Sequence, residues 1–250
     1  MKEDVFQKGK YTARLSRAKG DMRAAQALRY RAFIDPDREG IDEDRFDAMC
    51  SHVLIEAPDG TLVAAYRLLA LTDGGEISNA YAAQFYDLSR LAAYPGRMVE
   101  MGRFCIRPGL RDPEILRVAW AMMTRFVDGN GIEMMFGSSS FEGTDPSAHL
   151  AGFAMLHKRF KAPSRWAPGA KAAEVFHFSN DMAAKPSLRA VPPLLRTYLA
   201  MGGWVSDHAV IDRDLGTLHV FTGLEVAAVP RLRAQALRAA ARDRRVAPDR

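Results

Sequence analysis

Residues 99–109 read VEMGRFCIRPG, apolar enough for a buried strand yet carrying Glu100 and Arg103. Successive side chains of a strand point to opposite faces, so residues three apart look away from each other. A regular strand would bury one of these charges alone, which is costly. Gly102 offers a way out. Glycine inside a strand often marks a β-bulge, whose extra residue flips the later side chains to the other face. With a bulge at or beside Gly102, Glu100 and Arg103 share one side and a backbone N–H is released from the ladder. Read more plainly, the two residues are an ion pair at a sheet edge.

The surrounding pattern interleaves strands and helices. Residues 11–16 read as a short strand. A helix follows from Gly20 and Asp21, with Asp21 as its N-cap and Met22, Ala25, Leu28 and Ala32 at helical spacing. Arg29 and Phe33, four apart, fall on one face of it. The polar stretch 34–45, IDPDREGIDEDR, reads as a loop. Two apolar runs around Pro58-Asp59-Gly60 predict a hairpin, and residues 73–98 are poorly periodic. Asp112-Pro113 open a second helix with the stripe Leu116, Ala119, Trp120, Met123 and Val127, ended by Gly129 and Gly131. A strand over 133–141, a helix from Asp145-Pro146 to about Phe160, a helix over 192–201 and a strand over 217–226 complete the reading. This order predicts an α/β domain with a mixed sheet.

Charge is unevenly distributed. The chain of 250 residues has a net charge of +5, and residues 230–250 hold seven Arg against two Asp, which accounts for all of it. The body, 1–229, is balanced and the tail, 230–250, is basic, which points to an acidic partner or an anionic membrane. The charges within apparent strands and the neutral body argue against a nucleic-acid-binding module. No apolar run has the length of a transmembrane helix, and the first residues lack the apolar segment of a signal peptide. The two cysteines, Cys50 and Cys105, form no C-x-x-C. The expectation is a cytoplasmic protein without disulfides or structural zinc.

Several residues could carry chemistry. Arg67 sits on the apolar face of the second hairpin strand and wants a carboxylate partner. Asp44 and Asp47, in DRFD, are either solvated loop charges or such partners. Arg29, Arg67 and Arg103 would balance Asp44, Asp47 and Glu100 if the fold gathers them. His157 reads as a core histidine, and none of the six histidines shows metal-ligand spacing. Cys105 reads as a buried thiol. Ser138, Ser139 and Ser140 follow a strand but form no G-x-S-x-G elbow, and no phosphate-cradling glycine loop is present.

Taken in order, Arg29-x-x-x-Phe33, Asp44-x-x-Asp47, Arg67 in YRLL and Glu100-x-x-Arg103 resemble the acyl-homoserine-lactone synthases of the GNAT acyltransferase superfamily. LRYRAF, DRFDAMCSHVL, EMGRFCI, SSSFEGTDP, LHKRFKAP and VPPLLRTYLAMGGWVSDHAVID are more similar to a sister family, the L-ornithine N-alpha-acyltransferases of ornithine-lipid synthesis. The resemblance spans residues 11–226. Where lactone synthases have an aromatic residue shortly after the Phe33 position, IDPDREG has none. The usual GNAT pyrophosphate loop is replaced by RPGLRDP.

The resemblance implies a GNAT-like fold: a central, mixed but mostly antiparallel sheet with a bulged, splayed central strand, flanked by helices. It implies transfer of a 3-hydroxyacyl group from acyl carrier protein to the α-amine of ornithine, with no permanently bound cofactor and no metal. Glu100 and Arg103 would be catalytic, with Glu100 as base or organiser. Arg29, Phe33, Asp44, Asp47 and Arg67 would bind the amino acid, and Gly102, Phe104, Cys105, Ser138, Ser139 and Phe141 the acyl-pantetheine. The basic tail would dock the carrier protein or the inner face of the membrane. Glutamine, glycine or lysine as acceptor, or a lactone synthase using S-adenosylmethionine, are the alternatives.

Overall fold

The computed structural model describes residues 5–242. Its strands are β1 (Val5–Lys8), β2 (Tyr11–Ser16), β3 (Ser51–Glu56), β4 (Leu62–Leu71), β5 (Tyr86–Asp87), β6 (Met98–Ile106), β7 (Met134–Glu142), β8 (Gly169–Ala170), β9 (Val175–His177), β10 (Trp204–Val205), β11 (His208–Asp212) and β12 (Thr217–Glu225). Its α-helices are α1 (Lys19–Phe33), α2 (Pro113–Asn130), α3 (Leu150–Arg159), α4 (Pro193–Ala200) and α5 (Arg231–Ala241). The chain divides into two units. The first takes the residues up to Leu69, Gly102–Gly131 and those from Arg231; the second takes Ala70–Met101 and Ile132–Pro230.

In the first unit β1, β2, β3 and β4 follow one another as antiparallel neighbours. The 58–60 turn closes the β3–β4 hairpin as expected, with the Gly60 N–H donating to the Ala57 carbonyl and Gly60 at φ 80°. The end of β6 runs beside the start of β4, where the Arg107 N–H donates to the Val63 carbonyl at 2.8 Å. Helix α2 covers β2 and β3 with Ile115, Val118, Ala119 and Met122, all buried. The Tyr66 hydroxyl donates to the Ala119 carbonyl at 2.9 Å. The start of α2 is capped by Asp112, which accepts from the Glu114 N–H at 2.9 Å, with Pro113 at the first helical position. The helix runs through Gly129 and is closed by Gly131 alone, in the left-handed region. Glycine tolerates that conformation without steric cost.

Asp21 does not cap α1. The helix begins two residues earlier, at Lys19, after Ala18, and Asp21 is drawn instead into a bidentate pair with Arg14. A two-point bond to a guanidinium outcompetes a single bond to a backbone amide. Helix α5 packs on α2. Arg238 holds Asp128 at 2.9 and 3.0 Å, and Ala241 is buried. The basic tail expected over 230–250 is thus helical where it starts; residues 243–250 lie outside the described residues.

In the second unit the start of β6 lies parallel to β7, pairing Met98, Val99 and Glu100 with Met134, Met135 and Phe136. β7 is antiparallel to β12, β12 to β11 and β11 to β9, with β10 also on β12. β5 and β8 form a separate two-stranded ribbon. Phe136 and Phe221 stack at 5.8 Å, and Phe153 packs on Phe178 at 4.9 Å. The segment from Asp145 starts as a 3-10 turn, Pro146–His149, before α3 begins at Leu150. Half of 73–98 folds into 3-10 turns, whose short runs give no 3.6-residue period to read.

Candidate active site

The first unit gathers the charges of α1, the loop after it, β4 and β6. Arg29, on α1, donates to both oxygens of Asp47 at 2.6 and 2.9 Å. It also reaches Asp42, by Nε to the carboxylate at 3.0 Å and by Nη2 to the backbone carbonyl. Arg67, on β4, donates from Nη1 to Asp44 at 2.6 Å and to Asp47 at 2.7 Å, and from Nη2 to Asp44 at 2.9 Å. Arg103 donates from Nη2 to Asp44 at 3.2 Å and lies 3.8 Å from Asp42. Of the expected grouping of Arg29, Arg67 and Arg103 with Asp44, Asp47 and Glu100, this unit holds the three arginines with Asp44 and Asp47; Glu100 belongs to the second unit. Asp42 and Gln26, which the sequence reading passed over, complete it: Gln26 Nε2 donates to Asp47 at 2.9 Å.

The cluster has an inside and an outside. The side chains of Arg29, Asp47 and Arg67 are 1%, 3% and 3% exposed, whereas Asp42, Arg103 and Asp44 are 11%, 12% and 19% exposed. Burial pushes the Asp47 carboxyl up, but the guanidinium of Arg29, the amide of Gln26 and the guanidinium of Arg67 outweigh it and hold it well below the usual carboxylate range. For Asp44 burial also pushes upward, and the bond and charge of Arg67 bring it down. His52 Nε2 lies 3.0 Å from the Asp47 carbonyl, an oxygen that can only accept, so this nitrogen carries the proton. Burial lowers the His52 pKa.

The break in alternation falls at Arg103 itself. Its φ is 55°, and it alone among the described non-glycine residues has positive φ. A non-glycine residue in the left-handed region costs roughly 1–2 kcal/mol and persists where its surroundings determine it. Gly102, beside it, packs on the Arg67 side chain with space to spare: a Cβ there would make an ordinary contact, 3.7 Å from Arg67 Nε. The distortion is thus next to Gly102 rather than at it.

Phe33 is 36% exposed at the end of α1. It does not accompany Arg29, because the two differ in depth. Cys105 is buried with Ala25, Leu28 and Ala65; burial pushes its thiol up to about 12, so it is a packing residue of the α1–β4 core. Phe104 packs against Tyr66 at 6.0 Å.

In the second unit Glu100 is 5% exposed. Its two oxygens accept from consecutive backbone amides, Ala82 and Tyr81, at 2.7 Å each, at the start of the 3-10 turn Tyr81–Gln84. Next to it on the strand, the Met101 carbonyl comes so close to Gly137 of β7 that a Cβ on Gly137 would lie 2.3 Å from the oxygen. Ser139 accepts from Thr222 at 3.0 Å, Ser138 Oγ is buried without a hydrogen-bond partner among the described residues, and Phe141 packs on Phe153 at 4.9 Å.

Comparison with known proteins agrees with this architecture. A family model described as Acetyltransferase (GNAT) domain matches residues 28–121, which include the whole charge cluster from Arg29 to Arg103. The solved structure of FeeM, an N-acyl amino acid synthase from uncultured soil microbes, shares the fold, with a TM-score of 0.52 at 13% identity over 90% of this chain and 97% of that one. The L-ornithine N(alpha)-acyltransferase of Brucella abortus is 31% identical over 87% of this chain and 85% of the relative. That of Rhodobacter capsulatus is 34% identical over 88% of this chain and 91% of the relative. At that identity over nearly the full length of both sequences, the chain belongs to the L-ornithine N(alpha)-acyltransferase family and is an N-acyltransferase of GNAT type.

Proposed function

We propose that this enzyme transfers a 3-hydroxyacyl group from an acyl carrier protein to the α-amine of L-ornithine, giving a lyso-ornithine lipid. The observation that carries the reading is its likeness to L-ornithine N(alpha)-acyltransferases along 88% of its length. In the reaction the amine nitrogen attacks the thioester carbon. The C–N bond forms, the C–S bond breaks with its electron pair on sulfur, and the ammonium proton passes through a base to the thiolate. Glu100 is the proposed base: a buried carboxylate can take the proton of an ammonium directly or through a bridging water.

The amino acid needs a cation for its α-carboxylate and an acid for its side-chain ammonium. Arg103 and Asp44 suit these roles, because they are the more exposed cation and the most exposed acid of the cluster. Arg29, Asp47 and Arg67 then form the frame that orients them, and Phe33 lies outside it.

The entrance to α2 favours a carrier-linked donor over coenzyme A. A helix start binds a pyrophosphate through free N–H groups and its positive dipole end. Here Asp112 already takes the Glu114 N–H, Pro113 has none to give, and the bond from Lys10 holds the Asp112 carboxyl down at about 2. An anionic cap repels a pyrophosphate, whereas a carrier-linked phosphopantetheine brings one phosphodiester. The exposed Arg231 and Arg233 of α5 suit an acidic carrier or an anionic bilayer; no helix among the described residues is long and apolar enough to cross a membrane.

The test is an assay of the purified chain with 3-hydroxyacyl carrier protein or the matching acyl-coenzyme A, against L-ornithine, lysine, glutamine and glycine, with products identified by mass spectrometry. The expected product is Nα-acyl-ornithine from the carrier-bound donor. Preference for another acceptor, or for coenzyme A, overturns that part of the reading. A homoserine lactone formed from S-adenosylmethionine overturns all of it.

A further inference from the structure

We propose that His177, Asp207 and His208 of the second unit bind one divalent transition-metal ion of the zinc class. β9 and β11 pair antiparallel with His177 directly opposite His208, and residues directly opposite in such a pair project on the same face. Their rings lie 5.7 Å apart. Asp207, the residue before His208, sets its Oδ1 2.8 Å from His208 Nδ1. One ligand atom from each of the three residues lies within 4.8 Å of the others.

The site is anchored on one side and open on the other. His208 is 0% exposed. Its ring packs 5.4 Å from Tyr86, and its carbonyl accepts from Ser206 Oγ at 2.7 Å. Its Nε2 has no hydrogen-bond partner among the described residues, so the polar engagement of this imidazole is all on the Nδ1 side, toward Asp207. His177 and Asp207 are exposed, free to turn and reached by solvent. Metal–ligand bonds of about 2.0–2.2 Å place tetrahedral ligand atoms roughly 3.4 Å apart, which rotation of the two exposed side chains can supply.

The donor set selects the ion. Two imidazole nitrogens and one carboxylate oxygen suit zinc, nickel or cobalt, whereas calcium and magnesium take oxygen ligands. Three protein ligands leave a coordination position for water. A metal here would tie the edge strand β9 to β11, so its first effect is on stability. The sequence contains no sign of it, because His177 and His208 are thirty-one positions apart and meet only through strand register.

The experiment is zinc titration of the chelator-treated full chain against a chromophoric chelator, with cobalt absorption and thermal denaturation in parallel. The expected result is one saturable equivalent, tetrahedral cobalt bands, and a Tm rise of roughly 5 °C at about 100-fold excess over Kd. His177→Ala and Asp207→Ala, at exposed positions, should keep the metal-free Tm and lose the zinc-dependent rise. Absence of saturable binding, or binding that survives both substitutions, overturns the proposal.

Discussion

Arg29 and Asp47 meet through two parallel hydrogen bonds of 2.6 and 2.9 Å, with both side chains almost wholly buried. Each has one further counter-charge, Asp42 for Arg29 and Arg67 for Asp47. Breaking one side of such a pair typically costs about 3–5 kcal/mol, so Asp47→Ala should lower the urea midpoint severely. Asp44→Ala removes a carboxylate at the rim of the cluster. Because it also takes two bonds from the buried Arg67, it should cost about 1–3 kcal/mol of stability, less than Asp47→Ala, and in addition raise the KM for the amino acid. Urea denaturation and steady-state kinetics on the two variants separate frame from binding surface.

Glu100 holds two backbone amides at once. Glu100→Gln keeps one acceptor oxygen, so one of the Tyr81 and Ala82 amides loses its partner, a cost of about 1–3 kcal/mol, visible as faster hydrogen exchange there. A base removed in the same change lowers kcat by about 100-fold or more. Faster exchange with near-normal kcat would make Glu100 an anchor of the 3-10 turn and nothing else.

Arg103 at φ 55° separates backbone from side chain. Arg103→Gly relieves the left-handed conformation and Arg103→Ala does not, so the glycine variant should be the more stable of the two by about 1 kcal/mol. Both lose the guanidinium and should lose activity alike. Thermal denaturation with initial rates decides it; equal stability would mean the backbone relaxes once the side chain is gone.

Gly137 has no room for a methyl group against the Met101 carbonyl. Gly137→Ala should force β6 and β7 to shift, at about 1–3 kcal/mol, while Gly216→Ala tests the separate cost of positive φ at a turn with open space around it. Comparing their Tm values distinguishes steric contact from backbone preference.

Burial, only partly opposed by the nearby Asp212 carboxylate, lowers the pKa of His219 to about 4, while its Nδ1 lies 2.9 Å from the Tyr86 hydroxyl. The unfolded chain takes up this proton near pH 6.5, so the stability from keeping the ring neutral is present above that value. It is lost as pH falls toward 4, by up to about 3 kcal/mol. His52, lowered in the same direction, adds to the slope. Urea midpoints measured from pH 7.5 to 4.5 should fall, and less steeply in His219→Gln; an unchanged slope would assign the effect elsewhere.

The amino-acid order carried the hairpin at 58–60, the capped helix from Asp112, the alternation of strands with helices and the conflict between Glu100 and Arg103. These are local: they rest on apolar period, turn chemistry and the cost of an unpaired buried charge. The arginines and aspartates could be named, because a charge on an apolar strand face demands a partner. Which of them lie deep was decided by packing. Asp42 and Gln26 entered the cluster, Phe33 fell outside it, and Asp21 gave up the capping role for a bond to Arg14 from within the first turn of α1, since no spacing rule records competition for a guanidinium. The left-handed turn at Arg103, the amides that meet Glu100 and the pairing of His177 with His208 were set by tertiary structure alone. Each depends on segments distant in the chain arriving in one register, and register is an energy shared among strands that no single stretch of sequence contains.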